Sequence, residues 1–90
     1  MTSQRFSDIV THPSMLIPGH ADKKHLNLLI DISSIRSHKV IKALNDYFIL
    51  GKARTEICDE YDVNQGYLSL KIKEIKLLNE KILNLLPYYI

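Results

Sequence analysis

The stretch EICDEYDVNQGYLS, Glu56 to Ser69, decides the fold. Its first half carries four acids and the chain's single cysteine, and its second half amides, a glycine, a tyrosine and a serine. In ARTEICDEY, about two helical turns, Ile57 and Tyr61 share a face four residues apart, with Cys58 as a small neighbour. After the short turn DVN, Asn64 opens a second helix in which Leu68 and Ile72 again share a face. Two short helices pack steeply only when the turn between them is brief, a contact residue is small and an apolar residue plugs the corner. Here Cys58 is the small residue at the crossing and Val63 the plug. Ile57 and Tyr61 form the inner face of the first helix, and Leu68 and Ile72 that of the second. Asp62 stands where glycine is usual because the backbone needs positive φ, a conformation that Asp tolerates better than most residues. Asn64 is placed to cap the second helix by accepting a backbone N–H from its first turn, where the free amides also suit a phosphate. These constraints together predict a helix-turn-helix over about residues 53–77.

Working outward, SSIRSHKVIKALNDYFILG reads as a helix. Ser37 is its N-cap, Val40, Ile41, Leu44, Tyr47 and Phe48 recur at three and four, and Gly51 is the left-handed stop. Before it, ADKKHLNLLIDIS sets Leu26, Leu29, Ile30 and Ser33 on one face of a short helix that Asp22 helps to start. Residues 1–20, with Pro13, Pro18 and Gly19 between the apolar patches Ile9-Val10 and Met15-Leu16-Ile17, read as an irregular arm that can dock on a neighbour. Residues 21–90 form the helical domain. Its last helix runs to about Leu86 before Pro87, with Leu68, Ile72, Ile75, Ile82 and Leu86 on one stripe. Asn79 interrupts that stripe, so either the helix breaks there, the preferred reading, or the amide pairs across an interface. The expected fold is all-α, with about four to five helices and a long C-terminal recognition helix.

With Leu68 and Ile72 turned inward, the outward face of the second helix presents Gln65, Gly66, Ser69, Leu70 and Lys73, flanked by Tyr67, Lys71 and Lys76. Gln65 and Ser69 offer hydrogen bonds to bases or phosphates, Gly66 permits close approach, Tyr67 reaches a phosphate, and the lysines neutralise backbone charge. Lys52 and Arg54, at the start of the first helix, are placed to clamp flanking phosphates or enter a narrow minor groove. Glu56, Asp59, Glu60 and Asp62 must then point away from the duplex. A charge run such as Lys71, Lys73 and Lys76 is more often a solvated face than a binding site, and its position on a recognition helix reverses that reading. Leu70 and Leu77 lie opposite the core stripe. With Asn79, Ile82 and Leu86 they are the candidate contacts between copies.

Composition bounds the rest. Ninety residues with 46% apolar and 24% charged side chains make one small domain, which buries only about 60–65% of its unfolded surface and gains from self-association. The net charge of +2 argues for no polyanion by itself. The surplus falls in residues 63–90, with four lysines against two acids, whereas residues 37–62 hold four cations against five acids. One cysteine closes no intrachain disulfide, Cys58 reads as a buried spacer, and the start MTSQRFSDIV lacks a signal-peptide layout, so a cytoplasmic protein is expected. No apolar run approaches the roughly 18 residues of a membrane span. His12, His20, His25 and His38 have no metal-ligand spacing and read as surface residues, so neither metal nor cofactor is expected, nor a small-molecule ligand. No nucleophile–base couple, paired carboxylates or Gly-rich phosphate loop points to an enzyme.

About two-thirds of the chain, LLIDISSIRSHKVIKALNDYFILGKARTEICDEYDVNQGYLSLKIKEIKLLNEKILNLLPYY, resembles the PapB-type transcriptional regulators of fimbrial adhesin biosynthesis in enteric bacteria. The ISSI segment, the R-x-E-[IV]-C-x-x-Y stretch, the Q-G-Y opening of the second helix and the terminal PYY carry the likeness in this order. The resemblance implies a cytoplasmic, nucleoid-associated helix-turn-helix protein that binds A·T-rich double-stranded repeats beside fimbrial operons. It further implies minor-groove contacts and oligomerisation along DNA. Arg54, Cys58, Tyr61, Asn64, Gly66, Tyr67 and Ser69 occupy the matching positions. Leu70, Lys71 and Lys73 depart from the lysine-poor, hydroxyl-rich second helix of relatives. The competing reading is a helical protein–protein module, an adaptor or anti-regulator that uses the same shape without touching DNA, which the acidic first helix and modest net charge suit.

Overall fold

The computed structural model describes residues 16–90, an arrangement of helices with no strand among those residues. Helix α1 spans Lys23–Ile32, α2 His38–Asn45, α3 Arg54–Tyr61 and α4 Gln65–Leu85. A π-helical turn, Asp46–Leu50, extends α2, and a 3₁₀ turn, Leu86–Tyr88, follows α4. Ile9, Val10, His12 and Met15 lie outside the described residues.

Local chemistry sets the helix ends. The Asp22 carboxylate accepts from Lys24 N–H, Ser37 Oγ from Val40 N–H and Asn64 Oδ1 from Tyr67 N–H, so α1, α2 and α4 each begin at a side-chain cap. Between α1 and α2, Ser33 Oγ donates to Ile30 O (2.6 Å) and accepts from Ile35 N–H (3.1 Å), folding the ISSI segment so that Ile35 enters the core. Gly51 closes the π turn at φ 72°, its N–H donating to Asp46 O. Asp62 ends α3 at φ 56°, the one non-glycine residue of positive φ among those described. Its N–H and that of Val63 both donate to Cys58 O, which bends the chain sharply into α4.

The core lies where α1, α2 and α3 meet the first half of α4. Leu26, Leu44, Phe48, Ile57, Leu68 and Ile75 are fully enclosed, and Ile30, Val40, Cys58 and Ile72 are buried around them. Phe48 sits in the π turn, its ring edge-on to Tyr47 with centroids 5.0 Å apart. The carbonyls at a helix C-terminus lack partners within the helix. That of Phe48 accepts from Gly19 N–H (2.9 Å) and Ala21 N–H (3.1 Å), tying residues 19–21 to the π turn while Leu16 is buried nearby in the core. There Gly19 and Gly51, both of positive φ, face each other so closely that a Cβ on Gly51 would lie 3.0 Å from Gly19 Cα.

Two expectations need correction. Helix α4 does not break at Asn79 but continues without interruption to Leu85. Asn79 is buried, and its Oδ1 lies 3.1 Å from His25 Nε2 on α1. The amide in the apolar stripe is thus matched inside the chain, which removes the physical reason for a break. For the same reason His25 is no surface residue: it is half-buried and its Nδ1 is enclosed, whereas His20 and His38 are exposed. Beyond Asn79 only Ile82 packs partly on the core, and Leu83, Leu85, Leu86, Tyr88, Tyr89 and Ile90 are exposed. No helix among the described residues is long and apolar enough to cross a membrane.

Candidate nucleic-acid interface

The α3–α4 unit holds its outward residues rigidly because its inner face is closed. Ile57, Cys58, Leu68 and Ile72 are buried, with Tyr61 and Val63 half-buried against them. Asp62–Val63–Asn64 is a turn too short to let the helices slide. Consequently Arg54, the first residue of α3, meets the second turn of α4, with its Nη1 donating to Ser69 Oγ at 3.3 Å. Arg54 is exposed, as are Gln65, Gly66, Tyr67, Leu70, Lys73 and Lys76, while Ser69 and Lys71 are half-buried. Gly66 serves the cap beneath it: a Cβ there would come 3.1 Å from Asn64 Oδ1. Leu70 and Leu77 are exposed, and Leu86 is more enclosed than Leu70.

The lysines differ from one another. Lys71 Nζ pairs with Glu74 at 3.2 Å and stands 5.2 Å from the centre of the Tyr67 ring, so it stiffens α4 and covers the aromatic face. Lys73 and Lys76 are exposed. Lys52, between the π turn and α3, reaches Asp46 Oδ2 at 3.2 Å and Glu60 Oε1 at 3.1 Å. Its charge is therefore balanced by two carboxylates, whereas Arg54 is hydrogen-bonded to a neutral hydroxyl. Glu56 and Asp59 are exposed on α3, and Glu60 is drawn toward Lys52.

Asp46 was not anticipated from the sequence. Its carboxylate is buried, accepts from Tyr61 O–H at 2.8 Å and pairs with Lys52, so one acid joins the π turn, the linker and the end of α3. The available signal was an acid inside the apolar phase of a helix, three residues after Ala43 and two before Phe48. The hydrogen bond to Asp46 raises the Tyr61 phenol above its ordinary value, assisted by burial and by the Asp46 and Glu60 charges. Hydrogen bonds to Glu60 and then Asp46 likewise raise Lys52 against the opposing effect of burial. In both groups the folded state favours the protonated form. Their contribution is complete below the unfolded values, near 10, and is lost as pH rises through the raised folded ones. In an alkaline absorbance titration a step above the ordinary tyrosine value should therefore be seen, and Tyr61→Phe should delete it; a high step that survives would detach Asp46 from the role given it.

Among the described residues no cluster of His, Cys, Asp and Glu is arranged to hold a metal ion, and Cys58 is a buried free thiol. What the arrangement offers is an exposed guanidinium, amide, hydroxyl and ammonium set across two helices fixed by a closed core. Set beside known families, the chain matches the adhesin biosynthesis transcription regulatory protein model over residues 2–89. The chain belongs to this family. It is 60% identical over 70 residues to the regulatory protein FanB of Escherichia coli, an overlap of 78% of this chain and 71% of FanB. It is 43% identical over 76 residues to the major pilus subunit operon regulatory protein PapB of the same species, covering 84% and 73% of the two chains. The crystal structure of E. coli FocB matches the fold with a TM-score of 0.76 at 34% identity, over 99% of this chain and 98% of that one. The PapB-type resemblance and the all-α fold thus both hold, and the chain is a transcriptional regulator of the adhesin-biosynthesis family.

Proposed function

We propose that this regulator binds double-stranded DNA at fimbrial adhesin operons, with α3, the Asp62–Asn64 turn and α4 acting as a helix-turn-helix. The observation that carries the reading is the meeting of Arg54 and Ser69. Two residues from different helices, fifteen positions apart, share one exposed edge beside Gln65 and Lys73, with no acid bonded to the guanidinium among the described residues. An arginine presented from a helix start fits a narrow minor groove, whose negative potential is deepest in A·T-rich DNA. The lysines of α4 supply phosphate contacts that add affinity independent of sequence. Lys52 joins the interface only by exchanging Asp46 and Glu60 for phosphate, so it contributes less than Arg54. The exposed apolar residues from Leu83, near the end of α4, through the 3₁₀ turn to Ile90 support self-association of copies bound to repeated sites. The exposed Leu70 and Leu77 are further contacts, while Asn79 helps hold α1 on α4. Such a protein works in the cytoplasm, on the bacterial nucleoid.

A gel-shift titration tests this, using A·T-rich repeats and a G·C-rich duplex at two salt concentrations. Preference for the A·T-rich repeats, with stepwise shifts as repeats are added, is the expected result. Absence of binding, or indifference to sequence, would remove the reading. A minor-groove competitor drug should displace the protein, and binding that survives it would move recognition to the major groove.

A further inference from the structure

The first turn of α2 lies against the α3–α4 turn. Between them is a cleft of about 250 Å³ whose wall includes Ser37 and Lys39 on one side and Asp62, Asn64 and Tyr67 on the other. Lys39 joins the two sides, with Nζ donating to the main-chain carbonyl of Asp62 at 3.3 Å. That bond orders the side chain without neutralising it, since among the described residues no carboxylate oxygen lies within 4.0 Å of Lys39 Nζ. Lys52 and Lys71, by contrast, each pair with a carboxylate. An ordered, unneutralised ammonium beside an exposed tyrosine is what a phosphate group needs. The cleft also shares Asn64 and Tyr67 with the α4 face already described, so a DNA strand passing over the first turn of α4 would meet Lys39 next.

We infer that Lys39 contacts a DNA phosphate, extending the interface from α3 and α4 onto α2, with Asp62 weakening that contact. This rests on the DNA-binding reading above. Asp62 ends α3 at positive φ, is exposed and lines the same cleft, so it brings a negative charge to this end of the interface. A small free anion would be held poorly there, and a polyanion anchored elsewhere on α4 is the occupant that overcomes the opposing charge. Lys39 is exposed and makes no ion pair, so its removal leaves the fold intact.

The test is a fluorescence-anisotropy titration of an A·T-rich duplex over a salt series, for the full chain and its variants. One phosphate contact fewer lowers the slope of log affinity against log salt by about one, and affinity at about 0.1 M salt by about tenfold, which is expected of Lys39→Ala on any sequence bound. Lys39→Arg should restore the slope. Asp62→Asn keeps a residue that tolerates positive φ and should tighten binding. Lys24→Ala, on α1 outside this cleft, should change neither slope nor affinity. A Lys39→Ala protein that keeps its melting temperature and binds within about twofold of wild type, at an unchanged slope, overturns the inference. No binding by the wild type would instead fell the DNA-binding reading, and the inference with it.

Discussion

Replacing Phe48 with alanine is expected to destabilise the protein by about 3–5 kcal/mol. The ring is fully enclosed, and the π turn that carries it offers no flexible neighbour to fill the void, because Asp46 is bonded to Tyr61 and Lys52, and Gly51 is pressed against Gly19. A domain of this size has a total stability of only about 5–13 kcal/mol, so the loss is a large fraction of the whole. With about 4–8 °C lost per kcal/mol in a domain this small, its melting temperature should fall by roughly 12–40 °C. Phe48→Leu, which retains most of the volume, should lose far less. Thermal unfolding followed by far-ultraviolet circular dichroism measures both. A fall of less than about 5 °C for the alanine variant would mean that the π turn repacks freely, against the geometry described.

Arg54→Ala should separate binding from folding. A cation in the first turn of a helix opposes the macrodipole, so Arg54 is poorly placed for the stability of α3, and its bond to Ser69 is exposed. The variant should keep its helical content and melt within about 0.5 kcal/mol of wild type. Its affinity for A·T-rich DNA should drop by about 1–3 kcal/mol, together with a shallower salt dependence. Arg54→Lys should recover the salt dependence but only part of the affinity, since an ammonium lacks the planar fork that fits between groove walls. Ser69→Ala, which frees the guanidinium without removing it, should have a smaller effect in the same direction. Unchanged affinity in the alanine variant would retire Arg54 as a contact.

What the sequence made legible is what neighbouring residues decide among themselves. Ser37, Asn64 and Asp22 cap helices because their side chains reach amides two or three residues on. Gly51 and Asp62 adopt positive φ because the chain must turn there. The apolar stripes of α1 and α2, and that of α4 as far as Ile82, followed from helical spacing alone, whereas Leu86, expected on the same stripe, lies exposed beyond the end of α4. The rest depends on side chains that meet only after folding. Asn79 looked like a flaw in α4 because its partner, His25, lies 54 residues earlier in the chain. Lys52 looked like a free cation because Asp46 and Glu60, six residues before it and eight after, carry no mark of converging on it. The widening of α2 into a π turn was equally invisible, since the same apolar spacing suits an unbroken α-helix.

The contact between Gly19 and Gly51 has a consequence for how the chain tolerates change. A Cβ on Gly19 would come 3.3 Å from Gly51 Cα, and one on Gly51 would come 3.0 Å from Gly19 Cα, so each position is closed by the other's backbone. Whichever is substituted first must push the two segments apart, loosening the Gly19 bond to Phe48 O. Once they are apart, the second substitution meets open space and bears only its own dihedral strain. The two positions are therefore thermodynamically coupled and their penalties sub-additive. Chains that have lost one glycine lose the steric part of the constraint on the other, while the positive φ at each position continues to favour glycine there.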